Sequence, residues 1–244
     1  MATETSNTID IYGLTEWNEM VKVASAVLLT LKPVGGTIFY IDDTADGVYQ
    51  FFDADGNLIE TVNVGDKPYA YKVVTSGTKD KYYVYHDEVY DNTRWTYYKD
   101  GAYVMESAKS MGLADNMHEI TGTGRTNTEI VMTRDNGAYI TADSNGLPTI
   151  WYRLQQVRDA KIGGCDDWFV PCLHECEKLQ RAIKSGSITG GVIAGSSYST
   201  SVFRKNLWSS GVWEYNAECW LSSDEIWYAY SKTEPYSVFF TRAF

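Results

Sequence analysis

The stretch from Gly36 to about Met105 consists of short β-rich runs, each closed by a polar turn, and this alternation calls for strands joined by tight reversals. Thr37-Ile38-Phe39-Tyr40-Ile41 ends in Asp42-Asp43-Thr44. Val48-Tyr49-Gln50-Phe51-Phe52 ends in Asp53-Ala54-Asp55-Gly56-Asn57, where Asp-Gly is a hairpin signal. Lys81–Tyr85 and Arg94–Tyr98 read as further strands, the second closing on Lys99-Asp100-Gly101. The region is expected to be antiparallel, with many of its tyrosines on the exposed side. The acidic turn at Asp53 invites a calcium reading. A helix–loop–helix calcium loop, however, wants Gly at its sixth position and Glu at its twelfth, where this chain has Leu58 and Val64. A plain β-turn is the expectation.

Helical periodicity governs other segments. Trp17, Val21, Ala24, Leu28 and Leu31 fall on one stripe, which predicts a helix over 15–31 with Thr15 as cap and Pro33 as stop. The stripe lasts about two heptads, too short to argue a coiled coil, and serves either packing or an oligomerisation seam. Ile150, Leu154 and Val157 predict a helix over 150–160. Leu173, Cys176, Leu179 and Ile183 predict another over 171–184, with Pro171 in its first turn and Gly186 beyond its end. Gly122-Thr-Gly-Arg-Thr-Asn127-Thr128 reads as a glycine-rich loop, weak as a phosphate cradle because no Gly-Lys-Ser/Thr follows.

Charge and hydropathy restrict the function classes. The chain carries 21 Lys+Arg against 32 Asp+Glu, a net charge of −11, which repels phosphates and argues against nucleic acid. Hydrophobic residues at 44% argue against disorder. The opening MATETSNTID lacks a basic n-region and an apolar core, so no secretory signal is expected. The longest apolar run, Val23–Leu31, is far shorter than a bilayer span, so no membrane insertion is expected. The four cysteines read as reduced thiols of a protein made in a cytoplasm.

Four landmarks stand in order along the second half: Gly122-Thr-Gly-Arg-Thr-Asn127-Thr, Gly163-Gly-Cys-Asp-Asp-Trp-Phe-Val-Pro171, Leu207-Trp-Ser-Ser210 and Thr241-Arg-Ala-Phe244. Together they resemble bacterial and phage domains whose signatures read GxGxxNT, DW-(F/R)-hydrophobic-P-(S/T)-x-x-E-L, a YWSS-like strand and a terminal VRAxR-type strand. The resemblance covers roughly residues 115–244. It implies a C-type-lectin-like fold of the variety shared with formylglycine-generating enzymes. Such domains occur in phage tail and fibre proteins and in the variable proteins of diversity-generating retroelements. The chain departs from the pattern at Cys172-Leu-His-Glu175-Cys176: Glu175 fits the acidic position, while Cys176 replaces a leucine-like core residue as a small hydrophobe. The expected architecture is α+β: an N-terminal helix for attachment or oligomerisation (1–35), a small antiparallel β region (36–110) and a C-type-lectin-like domain (111–244).

Residues 207–230 carry seven aromatics among Ser, Asn, Asp and Glu, the mix of an antibody-type recognition surface. The candidate ligand-binding residues are Trp213, Glu214, Tyr215, Asn216, Glu218, Trp220, Ser222, Ser223, Asp224, Tyr228 and Tyr230. Trp208 and Trp227 sit in apolar runs and are expected in the core. The plainer alternative is that all these rings serve strand packing.

Other chemistries fit less well. Calcium-dependent sugar binding needs Glu-Pro-Asn or Gln-Pro-Asp with Trp-Asn-Asp, and here Glu234-Pro235-Tyr236 stands alone. Cys172 and Cys176 supply one thiol pair, with Cys165 seven residues upstream, His174 off their face and no second pair for zinc. Of the three histidines, His86 and His118 are expected in loops without a nucleophile motif nearby, and Cys219 has no close cysteine partner for formylglycine chemistry. The expectation is a non-catalytic receptor-binding adhesin of a phage virion, without cofactor or metal. Its partners would be a host cell-surface protein or glycan, other virion proteins and copies of itself, as a trimer or another oligomer. A structural capsid or tail decoration is the alternative, followed by an enzyme on the formylglycine-generating-enzyme-type fold.

Overall fold

The structure is a computed structural model describing residues 31–86, 88–113, 123–142, 147–188, 206–213, 216–221 and 226–244, with the strands between 206 and 230 described by backbone path. The helix expected over 15–31 lies outside the described residues. In chain order come β1 (Lys32–Pro33), β2 (Thr37–Ile41), β3 (Val48–Phe52), β4 (Leu58–Ile59), β5 (Ala70–Thr75), β6 (Tyr82–Tyr85), β7 (Tyr90–Thr93), β8 (Tyr98–Lys99) and β9 (Ala102–Tyr103). Helices α1 (Ala108–Met111), α2 (Thr123–Thr133), α3 (Ile150–Asp159) and α4 (Leu173–Lys184) follow, then β10 (Asn206–Trp213), β11 (Asn216–Leu221), β12 (Ile226–Tyr230), β13 (Tyr236–Val238) and β14 (Thr241–Ala243). The chain is α+β. None of the described helices is long and apolar enough to cross a membrane.

The sheets run β1-β5-β3-β4, β12-β11-β10-β13-β7 and β14-β6-β2, with β8-β9 a separate hairpin. Strands of the 36–110 stretch therefore pair with the last strands of the chain: β6 takes β14 antiparallel, and β7 takes β13. The β14-β6-β2 sheet separates two cores, because successive strand residues point to opposite faces. Ile38, Val84, Phe240 and Phe244 enter one cluster with Trp95, Trp151 and Trp168. Phe39, Tyr83, Tyr85, Phe239 and Ala243 enter the other with Leu173, Cys176 and Leu179 of α4. Both faces are covered, which is why these strands read as continuous apolar runs.

Three sequence expectations are corrected. Gly122 of the expected glycine-rich loop lies outside the described residues, while Thr123–Thr128 are instead the first turns of α2. Its glycine is required by packing, since a Cβ on Gly124 would lie 2.4 Å from Glu175 Oε2 and 2.8 Å from the Cys172 amide nitrogen. Thr128 Oγ1 takes the Val170 amide at 3.0 Å from the same helix. Only Tyr98 of the expected Arg94–Tyr98 strand is in a strand, at the start of β8: Arg94 donates its amide to Pro148, and Trp95 and Thr96 donate theirs to Lys232, so loops rather than a ladder hold the backbone before it. The tyrosines of the β region are mostly not exposed. Tyr71, Tyr83, Tyr85 and Tyr97 are buried, because the sheets are packed on more sides than a free-standing β region would be.

Tryptophan N–H groups find partners inside this core, as buried indoles do. Trp151 Nε1 donates to the Trp95 carbonyl at 2.8 Å, and Trp168 Nε1 to Ile162 at 3.0 Å. Truncating either ring to alanine would cost about 3–5 kcal/mol.

Candidate functional site

The aromatic segment folds back on itself twice. β10 pairs antiparallel with β11, and β11 with β12, which is the terminal strand of its sheet. β13 anchors this meander, taking β10 at Leu207–Ser237 and β7 at Tyr236–Thr93 and Val238–Tyr90. Side chains reinforce the joint: Ser237 Oγ donates to Asp91 Oδ1 at 2.7 Å, and Thr93 Oγ1 to the Tyr236 carbonyl at 2.9 Å.

Directly paired residues of antiparallel strands share a face of the sheet. Trp220 lies opposite Leu207 and Trp227, Glu218 opposite Ala229, and Asn216 opposite Trp213. These positions define one face. Cys219 lies opposite Trp208 and Tyr228, Ala217 opposite Val212 and Tyr230, and Leu221 opposite Asn206 and Ile226, which define the other. The candidates Trp213, Asn216, Glu218 and Trp220 are thus brought onto one face, and Tyr228 and Tyr230 onto the other. Trp208 and Trp227, both expected in the core, stand on opposite faces. Glu214, Tyr215, Ser222, Ser223 and Asp224 lie outside the described residues.

The turn returning from β12 to β13 is clamped to the body. The Lys232 carbonyl accepts the amides of Trp95 and Thr96 at 3.1 and 3.3 Å, and the Thr233 carbonyl accepts Arg94 Nε at 2.8 Å. Lys232 itself is fully buried, its Nζ donating to the Glu106 carbonyl at 2.6 Å and lying 4.3 Å from the Trp95 ring centroid. Burial pushes this ammonium down to about 7, with Glu106 acting in the opposite direction. Burial alone would raise the Glu106 carboxyl. Hydrogen bonds from Arg134 and from the Tyr139 hydroxyl, the latter at 2.8 Å to Oε2, more than offset that and lower it. Sequence reading passed over Lys232, since nothing local marks a turn lysine as buried.

The described cysteines are all buried. Cys165 Sγ donates to the carbonyls of Pro33 and Gly163, both at 3.5 Å. Cys172 is buried at the start of α4, where its amide donates to Glu175 Oε2 at 2.8 Å, and burial raises its thiol strongly. His86 is buried at the end of β6 and packs edge-on against Trp168. Burial lowers the His174 imidazole, while His118 and the Cys219 side chain are outside the described residues. Among the described residues, no group of three or more His, Cys, Asp and Glu is placed to hold a metal ion. The Asp53 carboxylate accepts the amides of Asp55 and Asn57 and the Asn57 side chain, which makes its loop a hydrogen-bonded turn.

Two clefts on the described surface were not anticipated from sequence. One, of about 1120 Å³, lies between the β1–β2 turn, the segment leading into β5 and the Ile162–Gly164 turn. The other, of about 760 Å³, lies beside Tyr71, Lys79, Thr126 and Phe244. No protein-family model, curated protein or solved structure matches this chain.

Proposed function

We propose that the chain is a non-catalytic binding protein with a C-type-lectin-like C-terminal domain, and that one face of the β10–β12 meander is its ligand surface. The register carries the reading. Antiparallel sheets commonly keep one face on a core and one in solvent. The positions shared by Trp208, Val212, Ala217, Cys219, Leu221 and Ile226 are almost wholly apolar and suit packing beneath α2 and α4, both of which lie against β10. The positions shared by Trp213, Asn216, Glu218, Trp220 and Trp227 mix aromatic with polar residues, as recognition surfaces do. Tyr228 and Tyr230 then belong to the packing face, and Trp227 joins the binding set. The ligand is a host cell-surface protein or glycan, and the carrier is a phage virion to which the N-terminal segment attaches an oligomer of this chain.

The sequence landmarks lend support by converging in space: Gly124 and Thr128 of α2 pack on Val170 and Cys172, and Arg242 of β14 pairs with Asp167. The test is binding of the labelled, purified chain to a panel of intact bacteria, repeated with Trp213→Ala and Trp220→Ala. Binding should be lost in both variants with thermal unfolding unchanged. A chain that binds no cell, or variants that unfold as they lose binding, would overturn the reading. A neighbouring reverse-transcriptase gene, with a near-copy of the DNA for 207–244 differing mainly at adenines, would mark the surface as diversified.

A further inference from the structure

We infer that the larger cleft binds a small organic cation: a primary ammonium or guanidinium carried on an apolar stem. Its volume of about 1120 Å³ is that of a generous small-molecule site, such sites running to roughly 300–1,000 Å³. Pro33, Ile59 and Tyr69 line it with apolar surface. Tyr69 is 61% exposed, in a region that buries Tyr71, Tyr83 and Tyr85, so this ring is offered to a partner rather than to the core.

The charged lining decides the sign of the ligand. Asp53, Asp66 and Glu88 stand against one lysine, Lys67, and the His86 imidazole. Two of these carboxylates are fixed but not saturated. Asp66 Oδ2 accepts the Asn63 amide at 2.7 Å, and Glu88 Oε2 accepts the Tyr90 hydroxyl at 2.8 Å. The second oxygen of each has no hydrogen bond among the described residues. A bound cation gains charge-assisted hydrogen bonds from these oxygens and the face of the Tyr69 ring, while its stem covers Ile59 and Pro33. An anion meets the same carboxylates as repulsion. The floor is preformed, which removes an ordering cost from binding. Gly35 and Gly163 approach so closely that a Cβ on Gly163 would lie 2.4 Å from the Gly35 carbonyl oxygen. The described lining is drawn from the segments around Pro33, Asp53, Tyr69, Glu88 and Gly163, so the assignment uses none of the residues of the ligand surface proposed above.

The test titrates the full chain with n-hexylammonium chloride and follows backbone amide NMR shifts, with n-hexanol and hexanoate as neutral and anionic counterparts at constant ionic strength. Hexylammonium should give saturable shifts confined to Lys67, Tyr69, Ala70, Glu88 and Ile162–Gly164, with hexanol at least about tenfold weaker and hexanoate silent. Tyr69→Ala and Glu88→Gln, both at exposed positions, should keep the wild-type melting temperature and each weaken hexylammonium about fivefold or more. Equal binding of hexanol, shifts that do not saturate or that fall elsewhere, or variants that bind as the wild type does would each overturn the assignment.

Discussion

Arg242 of β14 holds Asp167 through two parallel hydrogen bonds, Nε to Oδ1 at 2.8 Å and Nη2 to Oδ2 at 3.0 Å. Its Nη1 donates to the carbonyls of Pro33 and Val34 at 2.7 and 2.8 Å. One guanidinium, only 6% exposed, thus joins the last strand, the Asp-Trp element and the start of the described chain. Arg242→Ala removes this partner from the buried Val34 carbonyl and from Asp167 and should lower the unfolding free energy by about 3–5 kcal/mol. Arg242→Lys cannot fork and should cost roughly half of that. Asp167 is 44% exposed, so Asp167→Asn should cost about 1 kcal/mol or less. Urea denaturation of the three variants checks the order.

Gly124 gives a sign reversal. In an unconstrained helix interior, Gly→Ala stabilises by about 1 kcal/mol. Here the added methyl would strike Glu175 Oε2, the Cys172 amide and the Val170 carbonyl, each within 2.8 Å. Gly124→Ala should therefore destabilise by about 1–3 kcal/mol, read from its thermal midpoint.

These two contacts show which parts of the fold were legible in sequence. The Thr37–Ile41 and Val48–Phe52 runs became β2 and β3 residue for residue, because local chemistry sets their ends: Asp42 accepts the Thr44 amide, and Asp53 the Asp55 and Asn57 amides. Arg94–Thr96 was misread because its backbone partners are Pro148 and Lys232, which no local window contains. Gly124 of α2 was misread for a related reason, since its helix is justified by Val170–Cys172 across the core.

The candidate site divides the same way. Aromatic density between 207 and 230 was visible in the sequence, but which residues share a face depends on a register that composition does not carry. The cleft was invisible because its lining is drawn from separate segments around Pro33, Asp53, Tyr69, Glu88 and Gly163.

Strand parity sharpens the binding experiment. Trp220→Ala and Trp227→Ala, on the mixed face, should each weaken cell binding at least about thirtyfold, the loss typical of an interface hot spot, with little change in stability. Tyr228→Ala and Tyr230→Ala, at the apolar positions, should instead lower stability by about 3–5 kcal/mol, as loss of a packed ring does. Equilibrium binding and urea midpoints, measured on all four variants, separate the two faces. The reverse pattern would exchange their roles.

Lys232 makes stability depend on pH in a direction that can be worked out. Its folded pKa of about 7 lies below the usual lysine value of 10.5. Between those values the unfolded chain binds a proton that the folded chain lacks, so this group favours folding progressively as pH rises through the window, and that gain is lost as pH falls toward 7. The buried tyrosines act oppositely. Burial raises Tyr83, Tyr90 and Tyr139 above their ordinary 10.0, so at higher pH the unfolded chain ionises while the folded one does not, and stability declines. The Cys172 thiol, raised above its ordinary 9.0, adds to that decline. Stability should accordingly peak at about pH 9. Lys232→Met keeps the aliphatic stem under Trp95 and removes the charge. It forfeits the bond to the Glu106 carbonyl, yet should stabilise the protein at pH 7 by about 1–3 kcal/mol and flatten the rise between pH 7 and 9. Urea midpoints of both proteins across this range decide the matter, because a rise that survives in Lys232→Met belongs to another group.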